Sequence, residues 1–287
     1  MTKKTNIIPE KPLIIILMPM GDSIAYEAFM PYTEMFMGLI GNGWRVRLFS
    51  TARRPHAIAR NELMKKAIKF MKEEETPEYI LWMDDDHVID KDDVFKLMNI
   101  TKQFKLDCVS AAYLTRTIPS NVCALTVATT VKNSKTPSKY RLMHSYTPDT
   151  LYEVDGIGLG MCLMNPQILK DIYKRTPVPF GFVPRENDHL MGEDLLFCEQ
   201  IKKSKYKIYV HTGIFIGHLL TMNLTPKLAK LLQTDKEFHK RDVGKTEEDG
   251  KEHKSEGKQK RKRSKKINGK STLSGRKTKT KTKICKR

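Results

Sequence analysis

The chain has 287 residues, 39% hydrophobic and 30% charged, enough for a core that folds without covalent staples. Its net charge of +19 is concentrated, because residues 245–287 hold 18 Lys or Arg against five Asp or Glu and the rest carries only +6. A spanning helix is excluded, since the apolar run 13–18 soon meets Pro19, Gly21 and Asp22, far short of the roughly 18 residues required.

Residues 1–11 form a polar extension whose short, Pro-bounded apolar stretch does not make a secretory signal. Residues 12–18 are continuously apolar, as a strand buried on both faces should be. A helix is predicted over 31–40, with Pro31 in its first turn and Gly41-Asn42-Gly43 ending it. A strand at 44–49 is followed by a helical stripe of Ala59, Leu63, Met64, Ala67, Ile68 and Met71, stopped by Thr76-Pro77. The next strand, 79–83, runs straight into Asp84-Asp85-Asp86. Residues 90–93 make an acidic helix start, with Val94, Leu97, Met98 and Thr101 at helical spacing, and 106–113 is another strand.

This alternation of strand and helix predicts a parallel α/β sheet. The second half is mixed, because 122–131 and 140–146 read as strands with no helix between them. Asn165-Pro166 caps a short helix, 193–204 forms another, and 207–210 and 214–217 are two more strands. A further helix is expected at 226–233. The expected organisation is an extension 1–11, one α/β domain 12–235 and a basic tail 236–287. The tail is rich in Lys, Ser, Thr and Gly, so it buries too little surface to offset its ordering entropy and is read as disordered. Cys108, Cys123, Cys162, Cys198 and Cys285 lack any C-x-x-C pair, which argues against a disulfide scaffold and for a reducing, cytoplasmic setting.

Three adjacent carboxylates at the end of a buried strand repel one another and call for a cation. In an open α/β sheet the ligand crevice lies at the carboxyl ends of the strands. On an extended segment Asp84 and Asp86 face the same way, toward one divalent ion or ligand. Such hard oxygen ligands suit Mg²⁺ or Mn²⁺ holding a diphosphate. Glu193 and Asp194 stand in the first turn of a helix, where the ionised form is favoured. Asp155-Gly156-Ile157-Gly158-Leu159-Gly160 is glycine-rich, but a strand at 161–164 follows it, so a dinucleotide fingerprint is not expected. Arg60, Asn61 and Arg116 lie near strand-to-helix connections, where phosphates bind. His218, after Gly217 at a strand end, offers an imidazole ligand, whereas His211 reads as structural.

Taken in order, Ile58-Ala59-Arg60-Asn61, the strand ending in Asp84-Asp85-Asp86, the glycine-rich 155–160, Gly192-Glu193-Asp194 and the closing Ile216-Gly217-His218 resemble a GT-A-fold glycosyltransferase. The likeness is greatest to family 2 transferases and their viral and prokaryotic relatives, and it covers residues 12–220. The resemblance implies a nucleotide-sugar donor and a glycan, lipid or protein acceptor. It implies Mn²⁺ or Mg²⁺ held by Asp84, Asp86 and His218, with Asp84, Asp86, Arg60 and Asn61 on the donor side. Asp194 is then the base of an inverting transfer, and Gly158, Gly160 and Glu193 lie toward the acceptor. The segment 116–152 and the basic tail have no counterpart in that family.

Two other readings compete. A sugar-phosphate nucleotidyltransferase shares this kind of sheet and its metal carboxylates, but Met18-Pro19-Met20-Gly21-Asp22 has one glycine and no Lys to grip a triphosphate. A non-enzymatic nucleic-acid-binding protein would act through residues 258–266, where clustered Lys and Arg displace counterions from phosphates, although no aromatic residue interleaves to stack on bases. Under the glycosyltransferase reading as well, the tail is expected to contact polyanions, whether an anionic membrane or nucleic acid, and in a eukaryote it would suit nuclear import.

Overall fold

The computed structural model describes residues 11–116, 120–130, 137–143, 145–184, 190–221, 225–226 and 284–285. Met1–Leu220 and Lys281–Arg287 belong to one compact unit, and a second, Thr221–Thr280, lies almost wholly outside the described residues. The expected boundary at 235–236 and, beyond Pro226, the expected helix at 226–233 fall outside them too.

The first half alternates as β1 (Leu13–Met20), α1 (Tyr26–Gly41), β2 (Arg45–Ala52), α2 (His56–Glu73), β3 (Tyr79–Met83), β4 (His87–Val88), α3 (Asp93–Phe104) and β5 (Cys108–Ala112). It continues with β6 (Val122–Thr130), β7 (Pro137–Met143), β8 (Leu151–Val154), β9 (Gly156–Ile157), β10 (Met161–Met164) and α4 (Pro166–Arg175). The remaining elements are β11 (Val183–Pro184), β12 (Leu190–Met191), α5 (Glu193–Lys203), β13 (Ile208–Phe215), β14 (Gly217–His218) and β15 (Ile284–Cys285).

The main sheet has the order β15-β8-β13-β5-β10-β3-β1-β2. Strands β2, β1 and β3 are parallel, as are β5 and β13, and β10 is inserted antiparallel between β3 and β5. The α/β class with a mixed, largely parallel sheet, expected from the sequence, is the one observed. Strands β6, β7 and β9 form a separate antiparallel sheet, so the strands read near 122–131 and 140–146 exist but leave the main sheet. In the tail, Ile284–Cys285 pairs with Leu151–Tyr152 at the sheet edge.

Strand β1 shows why its sequence is continuously apolar. Leu13, Ile15 and Leu17 pack on one face with α2, whereas Ile14, Ile16 and Met18 pack on the other with α1 and α3. Each such side chain, taken fully from water, contributes about 1.5–3 kcal/mol, so this strand anchors both layers. No helix among the described residues is long and apolar enough to cross a membrane.

Two expectations are corrected. Helix α1 starts at Tyr26, not at Pro31, because buried Ala28, Tyr32, Met35 and Leu39 extend one face past the proline, which lies inside the helix. Its end is as expected: Asn42 donates through its side chain to the Gly38 carbonyl at 2.8 Å, and Gly43 takes φ of +84°. The segments 207–210 and 214–217 are mostly one strand, β13, broken by a bulge between His211 and Phe215 and followed by β14.

Strands β1, β3, β5 and β13 all end at the same edge of the sheet, and antiparallel β10 begins there. Gly21, Asp84, Tyr113, Gly160 and His218 therefore converge from five separate stretches of chain.

Candidate active site

The aspartate triplet is not extended. Residues 85 and 86 turn, so Asp84 and Asp86 diverge instead of facing one ion together. Asp84 continues the face of Ile80 and Trp82, toward α2. The turn is pinned by buried Tyr32, whose hydroxyl donates to the Asp84 carbonyl at 2.8 Å and accepts from the His87 N–H at 3.0 Å. Asp85 is occupied as well, accepting from the Gly21 N–H at 2.6 Å.

Arg60, in the second turn of α2, lies beneath this edge at 1% exposure. Its Nη2 donates to both Asp84 oxygens at 2.9 and 3.1 Å, and its Nη1 donates to Glu193 at 3.0 Å and also to Asp194. One guanidinium is thus shared by three carboxylates, two of them from the first turn of α5. Burial works against the Arg60 charge, but Asp194, Asp84 and Glu193 outweigh it and hold its pKa above the ordinary value. Burial also works against ionised Asp84, yet the two-pronged contact with Arg60 holds its carboxyl below the usual range.

Asp194 ends on the other side of this balance. Burial pushes its carboxyl up to about 7; Arg60 opposes the rise, and Asp84 and Glu193 add to it. Its side chain keeps 29% of its surface open, which tempers the burial effect without reversing the direction. The helix N-terminus alone favours an ionised, weak base. Here neighbouring carboxylates and burial supply a group poised near neutrality, as proton abstraction at physiological pH requires.

On the far side of the turn, Asp86, His87 and His218 bring one ligand atom each to within 4.8 Å of one another. The β4–β14 ladder sets His87 directly opposite His218, and their rings stack at 4.4 Å with 9° between planes. His218 Nδ1 lies 2.9 Å from the Leu114 carbonyl, so it carries the proton and leaves an Nε2 lone pair facing Asp86 Oδ2 at 3.8 Å. Asp86 Oδ1 and both ring nitrogens of His87 are buried without a hydrogen-bond partner, although His87 Nδ1 is 3.1 Å from Asp86 Oδ1. Burial pushes His87 down to about 4 and lowers His218, so both imidazoles are neutral near pH 7. Arg116 reaches in from the segment after β5 to pair with Asp86 Oδ2.

The glycine-rich segment is packing space for these groups. A Cβ on Gly160 would lie 2.5 Å from His87 Nε2 and Cε1 and 3.0 Å from Tyr113, and one on Gly158 would lie 1.8 Å from the Tyr113 hydroxyl. The Gly160 N–H donates to Tyr113 at 3.2 Å, and its carbonyl accepts from Asp84 N–H at 3.1 Å. Gly160→Ala should therefore displace His87 and destabilise the fold by about 1–3 kcal/mol. Denaturant unfolding measures the loss, and a variant as stable as wild type would show that this contact is not tight.

The other sequence candidates are placed as follows. Asn61 donates to the Ala57 and Phe180 carbonyls, each at 2.8 Å, and accepts from the Phe180 N–H at 3.1 Å, fastening α2 to the chain before β11. Arg60 is bound within the carboxylates. Gly158 and Gly160 border Tyr113, and Glu193 joins Arg60. Asp155 pairs with Lys202, and His211 Nδ1 accepts from Gly213 N–H at 3.1 Å within the β13 bulge. The structure groups His218 with Asp86, while Asp84 stands outside that cluster. Sequence reasoning misses His87, whose one signal is its adjacency to the triplet, and it misses Tyr32 and Tyr113, which carry none.

No family model and no curated protein matches the sequence. Among solved structures, the chain is similar to A197 from STIV at 16% identity and a TM-score of 0.46, over 73% of this chain and 86% of that one. It is similar to GalNAc-T7 with UDP, GalNAc and Mn²⁺ at 10% identity and a TM-score of 0.42, over 75% of this chain and 45% of that one. A CMP:2-keto-3-deoxy-manno-octonic acid synthetase complexed with CTP aligns at 10% identity and a TM-score of 0.35, over 78% and 98%. At these TM-scores the likenesses are coarse, and the geometry of the site itself carries the functional reading.

Proposed function

We propose that this chain is a metal-dependent glycosyltransferase of the GT-A kind, moving a sugar from a nucleotide-diphosphate donor to an acceptor hydroxyl with inversion. The observation that supports it is the pairing, at one sheet edge, of a converging Asp86–His87–His218 set with a carboxyl, Asp194, raised toward neutrality.

The residues fit a divalent cation. Lone pairs of Asp86, His87 and His218 converge with too few protons to satisfy one another, and Asp86 Oδ1 and the His87 nitrogens are orphaned. One carboxylate and two neutral imidazoles favour Mn²⁺ over Mg²⁺, whose sites are built from oxygen. A bound cation would supply Lewis-acid neutralisation of the charge developing on the departing diphosphate. Asp194, ionised above about pH 7, accepts the proton of the acceptor hydroxyl as that oxygen attacks the sugar carbon. Arg60 holds Asp194 and Asp84 in register from below.

Donor hydrolysis with purified protein across a panel of nucleotide sugars tests the reading. Excess EDTA should abolish turnover, and His218→Ala or Asp86→Ala should weaken Mn²⁺ binding at least about tenfold. Full turnover in EDTA would sink the metal role.

A further inference from the structure

Arg116 is the one cation that touches the Asp86–His87–His218 set among the described residues. Its guanidinium sits on Asp86 Oδ2, the same oxygen that faces the His218 Nε2 lone pair at 3.8 Å. Because His218 Nδ1 is committed to Leu114, Oδ2 and the Nε2 lone pair face each other as two acceptors, and the Arg116 guanidinium supplies the positive charge beside them. The Arg116 side chain is 46% exposed, so it can leave Asp86 without opening the core.

We propose that Arg116 is an exchangeable counter-ion: it occupies the cation position while the site is empty, yields Asp86 Oδ2 to an arriving divalent ion, and then pairs with the donor's diphosphate. This rests on the metal-dependent reading above and adds a residue that it does not contain. A guanidinium and a divalent ion held on one carboxylate repel each other, so each weakens the other's hold on Asp86. Once displaced, a planar guanidinium beside a metal-bound diphosphate has the partner that suits it best, by charge and by paired N–H geometry. No covalent bond is made or broken in this exchange. Arg116 keeps its charge throughout, and the diphosphate replaces Asp86 as its anion.

The proposal predicts opposite effects on two ligands, which a merely structural residue would not produce. In full-length Arg116→Gln, Mn²⁺ binding without nucleotide, followed by electron paramagnetic resonance of free Mn²⁺, should tighten about tenfold because the competing cation is gone. In saturating Mn²⁺, binding of inorganic pyrophosphate by calorimetry should weaken about tenfold. Arg116→Lys, which keeps the charge and loses the fork, should fall between wild type and Arg116→Gln in both assays. Unchanged or weaker Mn²⁺ binding in Arg116→Gln overturns the exchange, as does unchanged pyrophosphate affinity. The His218→Ala variant separates this failure from that of the underlying reading. If wild type binds Mn²⁺ and His218→Ala does not, the metal site stands whatever Arg116 does. If neither wild type nor Arg116→Gln binds Mn²⁺, both ideas fall together.

Discussion

Asp194→Asn should lower kcat by roughly 10²- to 10⁴-fold while leaving donor affinity close to wild type. The amide keeps the shape of the side chain and loses the lone pair that takes the proton. The pH profile makes the test specific. The folded-state value of Asp194 is raised to about 7, so wild-type rate should rise with pH and level off above it, and this limb should vanish in the variant. Stability should move the other way. A raised carboxyl contributes stability that is fully present below its ordinary value and is lost as pH rises through about 7. The Asn variant escapes that loss, so it should gain stability relative to wild type in alkaline buffer. Ordinary turnover with an unchanged pH profile would mean that Asp194 serves the helix start and that the base lies elsewhere.

Arg60→Met should be the most destabilising single change at this edge of the sheet. It leaves Asp84, Glu193 and Asp194 facing one another without their shared cation, and breaking a buried ion pair from one side costs about 3–5 kcal/mol. Arg60→Lys keeps the charge but cannot reach three carboxylates from one flat fork, so it should fall between the two. Urea unfolding measures both. Because the stranded carboxylates can take up protons, the deficit of the Met variant should shrink as pH is lowered. A variant with wild-type stability at neutral pH would show that Arg60 is dispensable to the fold.

The alternation of strand and helix through β5 was legible because parallel strands buried on both faces are continuously apolar, as 13–18 and 79–83 are. The place of the candidate site was legible too, since carboxylates directly after a buried strand stand at the edge where the strand ends gather. Side-chain direction was not legible. Asp84 and Asp86 share a face only on extended backbone, and the turn held by Tyr32 sends one to Arg60 and the other to His87. Nothing in local sequence announces that Tyr32, on a helix whose apolar face looks like ordinary core, will hold that turn. Arg60 reads as a phosphate ligand because sequence shows a basic residue near a strand end, not the three carboxylates that surround it. The bulge in β13 was hidden for a similar reason: 211–213 breaks the apolar pattern as a loop would, while the strand continues through it.

The short ladder between β4 and β14 also bears on how the protein is made. Its two histidines come from early and late stretches of the chain, and the late one follows the final long strand of the main sheet. A growing polypeptide that has completed β1 through β10 therefore holds Asp86 and His87 but has no second imidazole to close the set. The three side chains meet only after β13 has paired with β5. If the set holds a metal ion as proposed, binding would stabilise the closure of the long loop between these two histidines, which folding has already formed.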